Sequence, residues 1–137
     1  MSMRRRYKAI PLVLSVKRSY AGLGLFAGEN IPKNACVIEY IGKVLAKGEE
    51  YTSRSRYLFE INSRKTIDGA MRSNTARYIN HSCKPNCEPE IYKSRVFIFS
   101  KRTIKKGEEL CYDYGIEYAK EYFSETGCRC GNCPSKK

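Results

Sequence analysis

The stretch GCRCGNC, residues 127–133, places Cys128, Cys130 and Cys133 within six residues near the C-terminus. Three thiols that close cannot all pair with one another as disulfides, but they can converge on one tetrahedral ion. Structural zinc, at about 2.3 Å from sulfur, takes four ligands. A fourth ligand must therefore come from a remote part of the chain, and the fold has to bring that part back to the C-terminus. Cys83, Cys87, His81, Cys36 and Cys111 are the candidates, with unligated thiols as the bland alternative.

Seven cysteines is an odd count, and no clear secretory segment precedes them. RRRYKAIPLVLSV has a basic start and a short apolar run, but Lys17 and Arg18 follow directly with no small-residue cleavage site, so a first strand is expected there. No run approaches the roughly 20 apolar residues needed to span a membrane. A reducing compartment, cytoplasmic or nuclear, fits thiols kept available for metal.

At 137 residues the chain is expected to form one domain with a modest core. Short runs rich in Val, Ile, Tyr and Phe dominate: PLVLSV, GLGLFA, ACVIEYIGKVL, RYLFEI and SRVFIFSKRTI. EIYKSRVFIF reads as a hairpin turning near Lys93 and Ser94. Helical signals are few: KGEEYTSR at 47–54, SNTARYI at 73–79 and GIEYAKEYFSE at 115–125. The reading is a mostly-β domain with a few short helices. A basic tail at 1–10, a domain at 11–125 and a zinc-binding tail at 126–137 are its expected divisions.

The formal charge of +12 favours anionic partners such as nucleic acid or nucleosomes. Much of it lies in two runs, Arg4-Arg5-Arg6 with Lys8, and Lys101-Arg102 with Lys105-Lys106. Solvated surface is the plain alternative for both, and neither run reads base sequence.

Four further stretches carry the chemistry: AGLGLFA (21–27), EYIGKVL (39–45), ARYINHSCKPNC (76–87) and GEELCYDYG (107–115). Each is weak alone. A Gly-x-Gly turn lacking a third glycine and a βαβ setting is no dinucleotide site. Their order, with NHSC-x-PN followed by GEEL-x-YDY and closed by a Cys-x-Cys tail, resembles the SET-domain protein lysine methyltransferases. The resemblance covers residues from about 11 to 133, and compact stand-alone members are the nearest in shape.

That resemblance implies small twisted sheets around a pseudoknot, in which the strand carrying YDY passes beneath NHSC. It implies S-adenosylmethionine as methyl donor, with the target lysine entering from the other side through a narrow channel. Backbone around Gly22, Leu23 and Gly24 would hold the cofactor's methionine part. Asn80 would meet its amino end through the side-chain oxygen and the backbone of His81 its adenine, with Arg77 and Tyr78 lining the pocket. His81 has a local alternative, tying down a tight loop. Tyr114 matches the active-site tyrosine, while Tyr40 and Tyr57 match other channel tyrosines. Tyr112 stands where the family carries Phe or Tyr as a product-number switch, and Tyr implies a bias to monomethylation. Sheet aromatics are the ordinary alternative for all four.

The family's NHSC cysteine joins the tail thiols, which makes Cys83 the expected fourth zinc ligand and Cys87 its competitor. Leu23 departs from a frequent basic residue, Cys111 replaces a common Thr, and the final cysteine gap is short. Substrate is expected to be a histone or another basic protein. The repulsion from a +12 enzyme would be met by acid in the cleft, for which Glu39, Glu49, Glu50, Glu60, Glu88 and Glu90 are available. The alternatives are a zinc-stapled basic module that binds nucleic acid without activity, and a thiol hydrolase using His81. The last lacks a separate nucleophile and an orienting group.

Overall fold

The computed structural model describes residues 6–20, 22–49, 55 and 57–115. Among the described residues, ten strands in four small sheets form the framework. Strands β1 (Leu14–Ser19) and β2 (Gly22–Ala27) form an antiparallel pair. Strands β3 (Cys36–Tyr40), β8 (Cys87–Tyr92) and β9 (Arg95–Ser100) form a sheet in the order β3-β9-β8. Strands β4 (Lys43–Ala46), β5 (Leu58–Asn62) and β6 (Lys65–Asp68) form another, ordered β4-β6-β5. The smallest pairs β7 (Asn80–His81) with β10 (Cys111–Tyr112) in parallel.

Alternation explains how the central sheet is packed. On β9, Val96, Ile98 and Ser100 point into the main core with Leu25, Ile31, Ile79, Ile104 and Leu110. Phe97 and Phe99 point the other way, where with Cys36 they make a second apolar cluster. Tyr7 covers it, stacked on Tyr92 at 4.1 Å between centroids and edge-on to Phe97 and Phe99 at 5.5 Å. The Ile10 N–H donates to the Cys36 carbonyl at 3.0 Å, so the described end of the basic tail lies against this face. Strand β9 is buried on both faces, which is why VFIF reads as an unbroken apolar run.

The β8–β9 hairpin forms where the sequence places it, with Tyr92 opposite Arg95. Lys93 and Ser94 both take positive φ, 50° and 62°, as a two-residue turn matching strand twist requires. Of the expected helices, SNTARYI gives a 3₁₀ turn at Thr75–Tyr78. Most of 47–54 and nearly all of 115–125 lie outside the described residues.

The hydrogen bonds bring together the motif segments that the expected pseudoknot would join. Residues 107–110 run antiparallel to β2, through Gly107 N–H to the Ala27 carbonyl, Ala27 N–H to Glu108 and Leu110 N–H to Leu25. The same stretch then enters β10 and pairs with β7, placing Cys111 opposite Asn80 and Tyr112 opposite His81. One segment therefore joins the Gly-x-Gly strand to the NHSC strand.

Candidate active site

At this crossing the motif residues converge. The Tyr114 N–H donates to His81 Nδ1 at 3.0 Å, and its hydroxyl donates to the Ile79 carbonyl. Ring centroids step from His81 to Tyr114 (5.3 Å), Tyr112 (5.0 Å), Phe59 (6.5 Å) and Tyr40 (5.6 Å). Tyr40, 4% exposed, donates its hydroxyl to the Tyr57 carbonyl at 2.8 Å. Gly69 lets that ring in, because a Cβ there would sit 2.5 Å from it. Three of the four expected tyrosines thus share one aromatic chain, and Tyr57 meets it through its backbone. Phe59, the bridge between Tyr40 and Tyr112, was not singled out in the sequence, where RYLFEI read only as a strand.

Asn80 is fixed by two acceptors. Its Nδ2 donates to the Leu23 carbonyl at 2.9 Å and to Glu109 Oε2 at 2.8 Å. Turning the amide over would set Oδ1 against two oxygens, so the orientation is determined chemically. With Nδ2 so engaged, Oδ1 is left as the acceptor end of the amide. Glu109 also accepts from Ser19 Oγ at 2.6 Å, and Gly24 packs so close that a Cβ would lie 2.3 Å from Glu109 Oε2. Glu109 therefore ties together β1, β2 and β7, a role its place in GEEL does not announce. Asn86 is a second such residue: it donates to the Glu109 carbonyl and accepts the Cys111 N–H.

These features fit the expected cofactor. An oriented amide oxygen suits an ammonium group, and the exposed backbone at Gly22 and Leu23 allows close approach. Arg77 adds an open donor. Its guanidinium lies 4.5 Å from the Tyr57 ring and 5.1 Å from that of Tyr78, Nη1 donates to the Ala70 carbonyl, and the buried Nε has no partner among the described residues. The His81 carbonyl accepts the Tyr20 hydroxyl, so an adenine at this backbone has to join or displace Tyr20.

Burial holds the His81 pKa below its usual range, against the pull of Asp113 3.7 Å away. The ring is neutral, since Nδ1 accepts the Tyr114 N–H. The proton therefore sits on Nε2, 3.2 Å from Cys83 Sγ. In that tautomer His81 donates to the sulfur and cannot take its proton, which removes the basis for a thiol hydrolase.

Cys83 is half-buried on the loop after β7, whereas Cys87 is wholly buried. Burial, with Cys111 nearby, pushes the Cys87 thiol up to about 12. Metal ligation needs the thiolate, which this burial disfavours at Cys87, whereas Cys83 has the His81 N–H facing its sulfur. Cys128, Cys130 and Cys133 lie outside the described residues. Among the described residues no three His, Cys, Asp or Glu side chains gather as a metal site.

The acidic cleft is corrected. Glu39, Glu88 and Glu90 share the outer face of the central sheet, opposite Phe97 and Phe99 and turned away from Tyr40. There Glu39 takes a two-pronged bond from Arg95 and Glu90 accepts the Tyr7 hydroxyl. Strand alternation decides it: Glu39 directly precedes Tyr40, so it faces the other side. Glu49 accepts the Ala46 N–H, Glu60 is exposed on β5, and Glu50 lies outside the described residues. The carboxylates beside the site are Glu109, bonded to Asn80, and Asp113, 3.7 Å from His81.

The SET domain family profile matches residues 22–115. The histone-lysine N-methyltransferase trr of Drosophila melanogaster is 40% identical over 126 residues, covering 82% of this chain and 5% of that protein. Histone-lysine N-methyltransferase 2D of Homo sapiens matches equally, over 2% of its length. The "Histone-lysine N-methyltransferase, H3 lysine-4 specific" of Schizosaccharomyces pombe is 40% identical over 122 residues, 80% of this chain and 13% of its own length. The chain thus spans only a small fraction of these relatives.

Proposed function

The chain belongs to the SET-domain family, and on that premise we propose that it is an S-adenosylmethionine-dependent protein-lysine N-methyltransferase acting on histones, with a bias to monomethylation. The observation that carries this is the convergence of Asn80, His81, Tyr112 and Tyr114 where β7 meets β10. The H3 lysine-4 specificity of the Schizosaccharomyces pombe relative makes histone H3 the first substrate to test. A histone substrate implies work in the nucleus.

Bound S-adenosylmethionine supplies a methyl group made electrophilic by a sulfonium. Asn80 Oδ1 receives the cofactor's amino end, held in direction by Glu109 and the Leu23 carbonyl. Backbone of Gly22, Leu23 and Gly24 holds the methionine part, His81 the adenine, and Arg77 and Tyr78 line the pocket. Tyr40, Tyr57, Tyr112 and Tyr114 wall the lysine channel. A free lysine, with pKa near 10.4, arrives charged. An apolar wall and a neighbouring cation would both disfavour that charge, so the ammonium would give its proton to water and leave a neutral amine, held by the tyrosine wall, for methyl transfer. The Tyr114 hydroxyl, which donates to the Ile79 carbonyl, would be the oxygen that stabilises the polarised methyl. Cys83 would hold structural zinc together with Cys128, Cys130 and Cys133.

Methyl transfer from labelled cofactor to histones, nucleosomes and ribosomal proteins tests the proposal. Histone labelling lost in Tyr114→Phe is expected, and labelling that survives in that variant overturns the mechanism. Tyr112→Phe is expected to raise the di- and trimethyl fraction by mass spectrometry. Abundant trimethyl-lysine from the unaltered chain at low enzyme overturns the monomethyl bias. The favoured alternative to activity, a basic nucleic-acid-binding scaffold, predicts no labelling at all.

A further inference from the structure

Among the described residues, a dense group of exposed cations outside the active site lies where two segments run side by side. Residues 27–34 and 100–107 are antiparallel. Asn34 N–H donates to Ser100, Ile31 and Ile104 exchange both backbone bonds at 2.7 and 2.8 Å, and Gly107 N–H donates to Ala27. The Lys106 N–H donates to Asn30 Oδ1. Lys33, Lys101, Arg102, Lys105 and Lys106 stand on this frame, all exposed, above two fully buried isoleucines. Two carboxylates accompany them, and both are engaged: Glu29 accepts the Val13 N–H, and Glu108 takes Arg102 at 3.1 Å and the Lys105 N–H. Among the described residues the four lysines have no carboxylate within ion-pair distance.

We propose that this ridge binds the phosphate backbone of double-stranded DNA. At about 3.3 Å per residue it extends roughly 25 Å, most of a helical turn of duplex. Neither segment contains an aromatic residue, so there is no platform on which unpaired bases could stack. Ile31 and Ile104 are buried and Pro32 is the one other bulky apolar residue of the two segments, which leaves no large apolar face to enter a bilayer. What remains is a rigid row of point charges, suited to a regular anionic lattice and blind to base sequence. On a nucleosome it would grip DNA beside the histone substrate, a use that rests on the proposed activity, whereas DNA binding itself does not.

Fluorescence anisotropy of a labelled duplex of about 30 base pairs, at salt from about 50 to 200 mM, tests the ridge without cofactor or methyl transfer. Lys101→Glu/Lys105→Glu/Lys106→Glu is expected to weaken binding about tenfold or more. It should also flatten the slope of log affinity against log salt by about 2.7, from three phosphate contacts at about 0.9 each. Lys43→Glu/Arg64→Glu/Lys65→Glu makes the same net change elsewhere and is expected to cost about threefold at most. Circular dichroism establishes that both variants are folded. Equal losses in the two variants overturn the proposal, as does tighter binding to RNA duplex of the same sequence or to phosphatidylserine vesicles. Absence of DNA binding with histone labelling intact refutes the ridge and leaves the activity standing.

Discussion

Asn80 shows how far a motif letter can be taken. Its presence in NHSC suggests a cofactor contact, but the direction of its amide comes from Glu109, 29 residues away. Glu109→Ala strands the Asn80 and Ser19 donors, and a lost buried partner costs about 1–3 kcal/mol. A lower melting temperature is expected, together with weaker cofactor binding by titration calorimetry. Glu109→Gln, which keeps one acceptor, should fall between. Unchanged cofactor affinity in a folded Glu109→Ala chain would sever Glu109 from the site. Sequence could not reveal this residue, because its partners are tertiary and an exposed strand glutamate reads the same. Cys87 yields a pH test. Its folded pKa of about 12 lies above its ordinary value of 9.0, so the folded state holds the proton more tightly. The associated stability is fully present below pH 9 and is lost as pH rises toward 12, by at most about 1.4 kcal/mol per pH unit. Melting temperatures from pH 7 to 10.5 should therefore fall more steeply in the unaltered chain than in Cys87→Ala, and parallel curves would contradict the assignment.

Among elements, legibility follows the range of the interactions. The β8–β9 hairpin was readable because its cause is local: a two-residue turn between β-branched and aromatic runs. Lys93 and Ser94 are poor residues for positive φ, where Asn and Gly are favoured. Lys93→Asn/Ser94→Gly is accordingly expected to raise stability by on the order of 1 kcal/mol, and calorimetry showing destabilisation would mean that those side chains have other work. The β7–β10 pair lies at the other extreme. Two residues on each side carry no strand signal of their own, and only the family resemblance anticipated their meeting. The cleft acids were misplaced for a related reason. Glu39 sits beside Tyr40 in sequence, but the side of the sheet that faces the channel became known only once β3 was paired with β9.

Charge acts on the whole molecule in two opposed ways. With 26 Lys and Arg against 14 Asp and Glu, the folded chain repels itself, while the basic ridge gains from any polyanion it meets. The described carboxylates do little to relieve this at long range, since Glu39, Glu88 and Glu90 gather on one sheet face and Glu109 is drawn into the site. Salt should therefore divide stability from binding. Raising sodium chloride from about 50 to 500 mM shortens the Debye length from roughly 14 to 4 Å, which screens the repulsion between cations spread over the surface. The melting temperature of the free protein is expected to rise over that range, while its affinity for duplex DNA falls. The two responses have opposite sign because screening removes repulsion within the chain and attraction to the polyanion alike. A melting temperature that falls along with the affinity would mean that attractive pairs such as Arg95–Glu39 outweigh the net positive field, and that the excess charge is held apart well enough to cost the fold nothing.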